Sequence, residues 1–286
     1  MEKLTNIGYV REIMERHGFS FSKRLGQNFI VNPSVCPRIA EMGGAGKGMG
    51  IIEIGTGVGV LTAELAERAE KVVAIEIDER LLPVLDETLS DFDNIKIINA
   101  DVMKTDLKQV IEDNFRGLET AVCANLPYYI TSPIIMKLLE ERLPVKSITV
   151  MVQKEAAQRL CAAPGTRECG AVSFAVRYYS EPRVLFGVSR GSFMPSPDVD
   201  SCVIRMDILK EPPVKVKDEG FFFRLVRGAF TQRRKTLSNS LSSVLGIPKD
   251  RVREALSEAD ISPTARPEAV TMEQMAIISD RLKDTI

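Results

Sequence analysis

An uncharged segment near the middle of the chain has the side chains best suited to a specific reaction. Residues 125–128, Asn-Leu-Pro-Tyr, follow an apolar run and contain no acid, base or strong nucleophile. The Asn125 side-chain oxygen and the Leu126 carbonyl are hydrogen-bond acceptors, and Pro127 restricts its own backbone and that of its predecessor. Two acceptors beside the ring of Tyr128 suit the exocyclic amine of a nucleobase. A strand-to-helix turn with Tyr128 in the core would use the same residues.

Three glycines form a second candidate site at the turn from an apolar strand, GIIEI, into a helix. Gly55, Gly57 and Gly59 permit positive φ angles and let a ligand lie against bare backbone. Val60 stands where the dinucleotide-binding fingerprint has a glycine. The spacing therefore does not identify a ligand by itself, and an empty tight turn would also use these glycines.

Two carboxylates end the next two predicted strands. Glu76 lies 21 residues after Gly55, where an acid accepts hydrogen bonds from ribose hydroxyls in both NAD and S-adenosylmethionine sites. Asp101 follows the third strand, where its carboxylate could hold the amino group of an adenine. Either acid alone could be a helix cap, but together with the glycine turn they predict an adenosine pocket. A hydride-transfer enzyme needs an acid that polarises a carbonyl, and none is evident beside Asn125. This favours S-adenosylmethionine over NAD as the cofactor.

A regular alternation of elements positions these residues. Short apolar strands alternate with amphipathic helical segments, and this pattern predicts right-handed β-α-β units and a parallel sheet covered on both faces. The predicted strands are 50–54, 72–76, 95–99, 119–124 and 146–152, and the helices between them are 58–69, 79–90, 106–114 and 131–141.

The pattern changes after residue 152. Helices are predicted at 153–162 and up to about 179, followed by strands 183–188 and 200–208 that suggest an antiparallel hairpin on the sheet edge. Pro212 and Pro213 then mark a linker, and the rest of the chain is helical in pattern. We therefore predict an α/β domain with a Rossmann-like, mostly parallel sheet at residues 1–210 and a small all-helical domain at 211–286.

Composition is that of an ordinary globular protein, with 286 residues, 44% apolar and 27% charged. Because the chain shows neither a signal peptide nor a run of about 18 apolar residues, we expect a cytoplasmic protein without a membrane association. Five cysteines without a CxxC pair and a single histidine, His17, argue against a metal site and against histidine-dependent triads.

The net charge of −1 is unevenly distributed. Residues 205–254 contain twelve Lys or Arg and six Asp or Glu, so this region is locally basic and the remainder is acidic.

Six motifs in their order along the chain resemble those of a known family. They are GQNF (26–29), EIGTGVGVLT (53–62), AIEID (74–78), NAD (99–101), NLPY (125–128) and FMPSPDVDS (193–201). The resemblance, over about residues 20–240, is to the ribosomal RNA adenine dimethyltransferases, which use S-adenosylmethionine and combine a Rossmann-like domain with a small helical one. The loop 162–170 and the segment 231–241 resemble the branch that dimethylates two adjacent adenines near the 3′ end of 16S rRNA.

The resemblance implies a role for each matching residue. The base-binding and catalytic group comprises Asn125, Leu126, Pro127, Tyr128 and Phe193, and in it Tyr128 and Phe193 sandwich a flipped base. The cofactor group comprises Asn28 and Ile30 over the methionine part, Gly55 and Gly57 at the turn, Glu76 on the ribose, Asp101 on the adenine, and Asn125 where cofactor and target meet.

Three positions depart from the family pattern. Thr56 replaces a proline, Tyr129 replaces an asparagine, and Cys169 replaces an aromatic residue. We expect Thr56 to be tolerated because its neighbours supply the turn, whereas Tyr129 and Cys169 leave the shape of the target pocket open.

The implied partner is 16S rRNA in the small ribosomal subunit or its precursor, bound by a monomer. Phosphate contacts position an RNA without specifying its sequence, so basic residues are the candidates for this role, although any one of them could be a solvated surface charge. They are Lys23, Arg24, Arg224, Arg227, Arg233, Arg234 and Lys235.

Three alternatives remain open on the sequence. A related enzyme could methylate 23S rRNA and confer macrolide resistance, and the subunit that accepts methyl groups would distinguish it. The chain could also be a ribosome-assembly factor with little turnover, or an NAD-dependent oxidoreductase, which a comparison of S-adenosylmethionine and NAD binding would identify.

Overall fold

The structure of the chain, a computed structural model, describes residues 2–19, 27–232 and 235–284, without the side chains of residues 2 and 3. Four of the expected RNA contacts, Lys23, Arg24, Arg233 and Arg234, lie outside the described residues.

Nine strands form two sheets in the described part of the chain. They are β1 Phe29–Ile30, β2 Met49–Ile54, β3 Lys71–Glu76, β4 Ile95–Asn99, β5 Glu119–Asn125, β6 Ser147–Gln153, β7 Ser180–Val188, β8 Phe193–Met194 and β9 Ser201–Ile208. The large sheet has the order β4-β3-β2-β5-β6-β9-β7, with parallel pairing from β4 to β6 and an antiparallel β6–β9 pair. This confirms the predicted Rossmann-like sheet with its antiparallel edge.

Helices connect the strands and make up the C-terminal region. They are α1 Glu2–Thr5, α2 Ile7–Arg16, α3 Val35–Met42, α4 Val60–Ala66, α5 Leu82–Thr88, α6 Leu107–Asn114, α7 Thr131–Glu140, α8 Lys154–Cys161, α9 Ala171–Tyr179, α10 Glu219–Thr231, α11 Leu237–Leu245, α12 Lys249–Glu258 and α13 Met272–Lys283. Side-chain caps on α6, α10 and α13 come from Asp106, Asp218 and Thr271.

The central strands are apolar on both faces because helices cover both sides of the sheet. Ile51, Ile52, Val72 and Val73 are fully buried, as expected for a parallel sheet between two helical layers. From β2 the chain continues outward to β3 and β4, and it then returns to the other side of β2 to form β5 and β6. Ligands of such sheets bind at the carboxyl ends of the strands, beside the point where the strand order reverses.

The chain divides into two compact units. The first unit contains the described residues up to Ala157 and Pro182–Ile208, and the second contains Gln158–Glu181 and the described residues from Leu209 onward. The second unit therefore begins two residues before the predicted boundary at 210/211 and also takes in Gln158–Glu181, while the two predicted functional domains, 1–210 and 211–286, stay a prediction.

Aromatic packing accounts for the placement of α9 in the second unit. The ring of Tyr179 stacks on Phe223 with 5.5 Å between centroids, and Tyr178 contacts Phe222 and Phe223. The Tyr179 hydroxyl donates to the Glu219 carboxylate at 2.9 Å. These contacts join α9 to α10 across about 40 residues of sequence, which local patterns cannot reveal.

A two-stranded sheet was not predicted. Phe29 pairs with Met194 and Ile30 pairs with Phe193 in the antiparallel pair β1–β8. Because strands of two residues have no visible period, sequence patterns do not detect them. The pair joins two segments that the family resemblance singles out, 26–29 and 193–201.

Candidate active site

A cleft of about 1100 Å³, including its open mouth, lies at the carboxyl ends of the parallel strands in the first unit. It is lined by ten of the eleven residues expected to hold cofactor or target base. These ten are Asn28, Ile30, Gly55, Gly57, Glu76, Asp101, Asn125, Leu126, Pro127 and Tyr128. Parallel strands end at the same edge of a sheet, which explains why residues up to about 100 positions apart meet here.

The glycine turn has the backbone geometry expected of it. Gly55, Gly57 and Gly59 have φ angles of 77°, 56° and 90°, a region that L side chains rarely adopt. A Cβ on Gly57 would also lie 3.2 Å from the Phe29 ring. The turn therefore presents bare backbone to the cleft and positions Gly59 as the N-cap of α4.

Glu76 is buried at the end of β3 and accepts hydrogen bonds at both carboxylate oxygens. Its Oε2 accepts from the Thr56 backbone N–H and from the Thr56 hydroxyl, each at 2.9 Å. Its Oε1 accepts from the Asp78 N–H at 2.9 Å. Proline at position 56 would supply neither donor, so the Thr56 departure adds two contacts that orient this carboxylate.

Asp101 lies just beyond β4, and its side chain is 31% exposed. Its Oδ1 accepts from the Met103 N–H at 2.9 Å, which fixes the carboxylate in a turn. The neighbouring Asn99 donates from Nδ2 to the Glu76 carbonyl at 2.8 Å and so ties the ends of β3 and β4 together. The two acids predicted to bind an adenosine therefore line one cleft on adjacent strand ends.

The end of β5 brings the amide and aromatic side chains to the same cleft. Asn125 Nδ2 lies 3.5 Å from the Asn28 carbonyl, which it faces as a donor. The Tyr128 hydroxyl lies 2.7 Å from Ser201 Oγ, and the Tyr128 ring is partly buried. Leu126 is buried, and its N–H donates to the Met151 carbonyl at 3.3 Å.

Phe193 does not join the residues that line the cleft. Its side chain is 4% exposed, and its backbone pairs with that of Ile30, which does line the cleft. The expected stacking of Phe193 on a target base therefore stays a prediction. Of the departures, Tyr129 lines the cleft, whereas Cys169 is buried in the second unit.

The sequence reasoning missed a hydrogen-bonded group that consists of Gln27, Asp78 and Arg80. Asp78 Oδ2 accepts from Gln27 Nε2 at 2.8 Å and from Arg80 Nη2 at 2.7 Å, while Oδ1 accepts from Arg80 Nε at 2.8 Å. Arg80 lowers the pKa of Asp78, and Gln27 adds to this effect. The group holds the cleft-lining segment 27–30 against the end of β3. An acid two residues after Glu76 was its only signal in the sequence.

Glu53 is a further residue that the sequence reasoning missed. It lies in β2, lines the cleft, and is fully buried, and neither carboxyl oxygen has a hydrogen-bond partner among the described residues. Burial away from water raises the pKa of this carboxyl from 4.5 to about 8, and the negative charge of Glu76 adds to the increase. A charged residue inside the apolar run GIIEI was the available signal.

The raised pKa of Glu53 predicts a specific pH dependence of stability. As pH rises from 4.5 to about 8, the unfolded chain loses the Glu53 proton while the folded chain keeps it, so the free energy of unfolding falls. One pKa unit corresponds to about 1.4 kcal/mol, so the total effect is a few kcal/mol. We expect Glu53→Gln to melt at a higher temperature than the unsubstituted chain at pH 8, with a difference that shrinks towards pH 5.

Thermal melts at pH 5, 6, 7 and 8 measure this difference. Glu119→Gln is the matched control, because Glu119 is an exposed carboxylate paired with Lys146 at the opposite end of the sheet. Parallel pH profiles for Glu53→Gln and the unsubstituted chain would refute the assignment.

The described candidates for RNA contact lie in the second unit. Arg224 and Arg227 are exposed and one turn apart on α10, and Lys235 is exposed just before α11. Arg224 also lies over the Phe221 ring, with 5.6 Å to its centroid. Their role in RNA binding stays a prediction.

Two other features of the described residues bear on function. The five cysteines all lie among the described residues and form no disulfide with one another, and no cluster of His, Cys, Asp or Glu within residues 2–19, 27–232 and 235–284 could hold a metal ion. No helix in the same ranges combines the length and apolar character needed to cross a membrane.

Comparison with known proteins identifies relatives along nearly the whole chain. The family model described as ribosomal RNA adenine dimethylase matches residues 18–284. A Geobacillus protein named ribosomal RNA small subunit methyltransferase A is 49% identical over 285 residues, covering 98% of this chain and 97% of that protein. A protein of the same name from Bacillus licheniformis is 47% identical over 280 residues, covering 96% of each.

Solved structures share the fold. The 23S rRNA methyltransferase ErmE superposes with a TM-score of 0.68 at 29% identity, covering 90% of this chain and 100% of that one. A dimethyladenosine transferase from Plasmodium falciparum has a TM-score of 0.72 at 24% identity, covering 87% of this chain and 95% of that one, and supports the fold alone. Family model, relatives and cleft agree, and the chain belongs to the ribosomal RNA adenine dimethylase family.

Proposed function

We propose that this protein transfers methyl groups from S-adenosylmethionine to the exocyclic amines of two adjacent adenines near the 3′ end of 16S rRNA. The observation that carries this proposal is one cleft that joins an adenosine-binding edge, Gly55 to Glu76, to an amine-binding edge, Asn125 to Tyr128. The relatives at 47–49% identity are named small subunit methyltransferases, which supports the choice of RNA.

The residues of the cleft fit S-adenosylmethionine. Glu76 is aimed by three donors and keeps carboxylate lone pairs for ribose hydroxyls, and Asp101 is partly open towards an adenine amine. Glu53 contributes to the cleft wall a buried acid that has no hydrogen-bond partner in the described part of the chain, and a positively charged ligand would compensate its ionised form. Asn28 and Ile30 would cover the methionine part.

The reaction requires the protein to align the reactants more than to act as an acid or a base. S-adenosylmethionine supplies a methyl group on a positively charged sulfur, which is already activated for transfer. Asn125 Nδ2 faces the Asn28 carbonyl, so Asn125 Oδ1 is the atom that accepts a hydrogen from the adenine amine, together with the Leu126 carbonyl. These acceptors hold the nitrogen lone pair in line with the methyl group, and the displaced proton leaves to solvent.

Entry of the base has a cost that the aromatic residues offset. An adenine must leave its stack before its amine reaches Asn125, which costs a few kcal/mol. Stacking on an aromatic ring stabilises a base by about 1–3 kcal/mol. Tyr128 is held at the cleft by Ser201 and supplies one face, and Phe193 would supply the other.

The partner in this proposal is the small ribosomal subunit or its precursor, bound by a monomer in the cytoplasm. The two arginines one turn apart on α10, Arg224 and Arg227, together with Lys235, would bind phosphates and orient the particle. Target choice then rests on the shape of the particle, since phosphate contacts carry no sequence information.

Methylation of isolated subunits tests the proposal. Unmethylated small and large subunits are incubated separately with the protein and S-adenosylmethionine, and digested RNA is examined by mass spectrometry. We expect N6,N6-dimethyladenosine at two adjacent positions in 16S rRNA and none in 23S rRNA. Monomethyladenosine alone would overturn the double transfer, and methylation of 23S rRNA would support the macrolide-resistance alternative, which the relatives do not favour.

A further inference from the structure

Tyr129 is an exposed aromatic residue on the lip of the cleft. It is 60% exposed, and it lines the same cleft as Asn125 and Tyr128. Its hydroxyl has no hydrogen-bond partner among the described residues, so neither packing nor polar contacts explain a large ring at this position. The roles assigned above to the cleft do not use it.

The turn that carries Tyr129 is held firmly. The Pro127 carbonyl accepts from the Ile130 N–H at 3.2 Å and from the Thr131 hydroxyl at 3.1 Å, and Thr131 is buried at the start of α7. These bonds bracket Tyr129 in the chain and fix the backbone on both sides of it.

Tyr128 and Tyr129 occupy different environments although they are consecutive. The Tyr128 hydroxyl makes a hydrogen bond with Ser201, and the Tyr128 ring is partly buried. The Tyr129 ring, in contrast, faces solvent. One ring therefore belongs to the wall of the cleft and the other to its mouth. Their Cα atoms are about 3.8 Å apart, so two neighbouring nucleotides can reach the two rings together.

We infer that Tyr129 forms a second base-binding position, on which the nucleobase next to the target adenine stacks. This inference rests on the proposed function. When an adenine leaves its stack to enter the cleft, its neighbour loses a stacking partner, and the Tyr129 ring replaces that partner at the cleft mouth.

An aromatic ring suits two successive targets better than a hydrogen-bonding side chain does. The two target adenines are adjacent, so the base on a given side of the target differs between the two reactions. Stacking accepts any base because every base has an aromatic face, whereas hydrogen bonds from a side chain would select one. The same position therefore serves both methylation sites.

Kinetics with unmethylated small subunits test this role through Tyr129→Ala and Tyr129→Phe. We expect kcat/KM for subunits to fall about 10-fold in Tyr129→Ala, the range that one stacked base provides. Tyr129→Phe keeps the ring and should stay within about two-fold of the unsubstituted protein. The Kd for S-adenosylmethionine, measured by titration calorimetry, should not change in either variant.

Val184→Ala is the matched control, because Val184 is 49% exposed on β7 and does not line the cleft. Thermal melts verify that all three variants fold. An unchanged kcat/KM in Tyr129→Ala would overturn the inference, as would an equal loss in Tyr129→Phe, which would assign the effect to the hydroxyl. Failure of the proposed function is separate, because the unsubstituted protein would then produce no dimethyladenosine in 16S rRNA.

Discussion

Replacing Asn125 by alanine is expected to lower kcat for methylation of small subunits by at least about 100-fold while weakening the binding of S-adenosylmethionine less than Glu76→Ala does. The substitution removes the side-chain oxygen that accepts from the adenine amine, and precise placement of reacting groups accounts for factors of this size. The backbone bond of the next residue, Leu126 N–H to Met151, does not involve the lost amide.

Single-turnover methylation of subunits and calorimetric titration with S-adenosylmethionine separate the two effects. Asn114→Ala is the matched control, because Asn114 is a partly buried asparagine on α6 that makes hydrogen bonds with Lys96 and Val110 and does not line the cleft. The assignment of Asn125 to target alignment is refuted if its variant loses cofactor affinity as severely as Glu76→Ala does.

Replacing Glu76 by glutamine is expected to weaken S-adenosylmethionine binding by at least about 10-fold and to lower the stability of the protein by about 1–3 kcal/mol. All three partners of this carboxylate are donors, two at Oε2 and one at Oε1. A glutamine must turn its NH₂ group towards one of these ends, where it meets another donor. The isosteric change therefore leaves a buried N–H without an acceptor and also removes an acceptor for the ribose.

Calorimetric titration and urea unfolding measure the two consequences of Glu76→Gln. Glu119→Gln provides the control, since Glu119 is exposed and its partner is Lys146. A Glu76→Gln variant that binds S-adenosylmethionine with unchanged affinity would show that Glu76 organises the turn without contacting the cofactor. Thr56→Val separates these roles further, because it removes only the hydroxyl donor of the three contacts.

Much of the cleft could be predicted from local sequence. Gly55 and Gly57 indicate a turn that needs positive φ angles. Glu76 ends one apolar run that predicts a buried strand, and Asp101 follows another. Parallel strands must end at one edge of a sheet, so strand prediction alone was enough to place these residues together. The predicted strands correspond to β2 to β6 and to the edge strands β7 and β9.

Other features depend on contacts between distant parts of the chain. Gln27 and Asp78 are 51 residues apart, and the β1–β8 pairing of Ile30 with Phe193 joins segments more than 160 residues apart. The membership of α9 in the second unit follows from its aromatic contacts with α10. No local period in the sequence records such contacts, and for this reason sequence patterns could not group α9 with α10.

The sequence by itself determined the fold class, the family and ten of the residues that line the cleft, because these follow from periodicity, glycine geometry and motif order. Only the tertiary structure decided which hydrogen bonds each side chain makes and how far it is buried. It buried Glu53 with no hydrogen-bond partner among the residues that the structure describes, and it gave Thr56 two hydrogen bonds to Glu76. It also placed Phe193 outside the cleft lining and left Tyr129 exposed at the cleft mouth. The physical reason is that burial and hydrogen bonding depend on neighbours in space, which the order of residues does not specify.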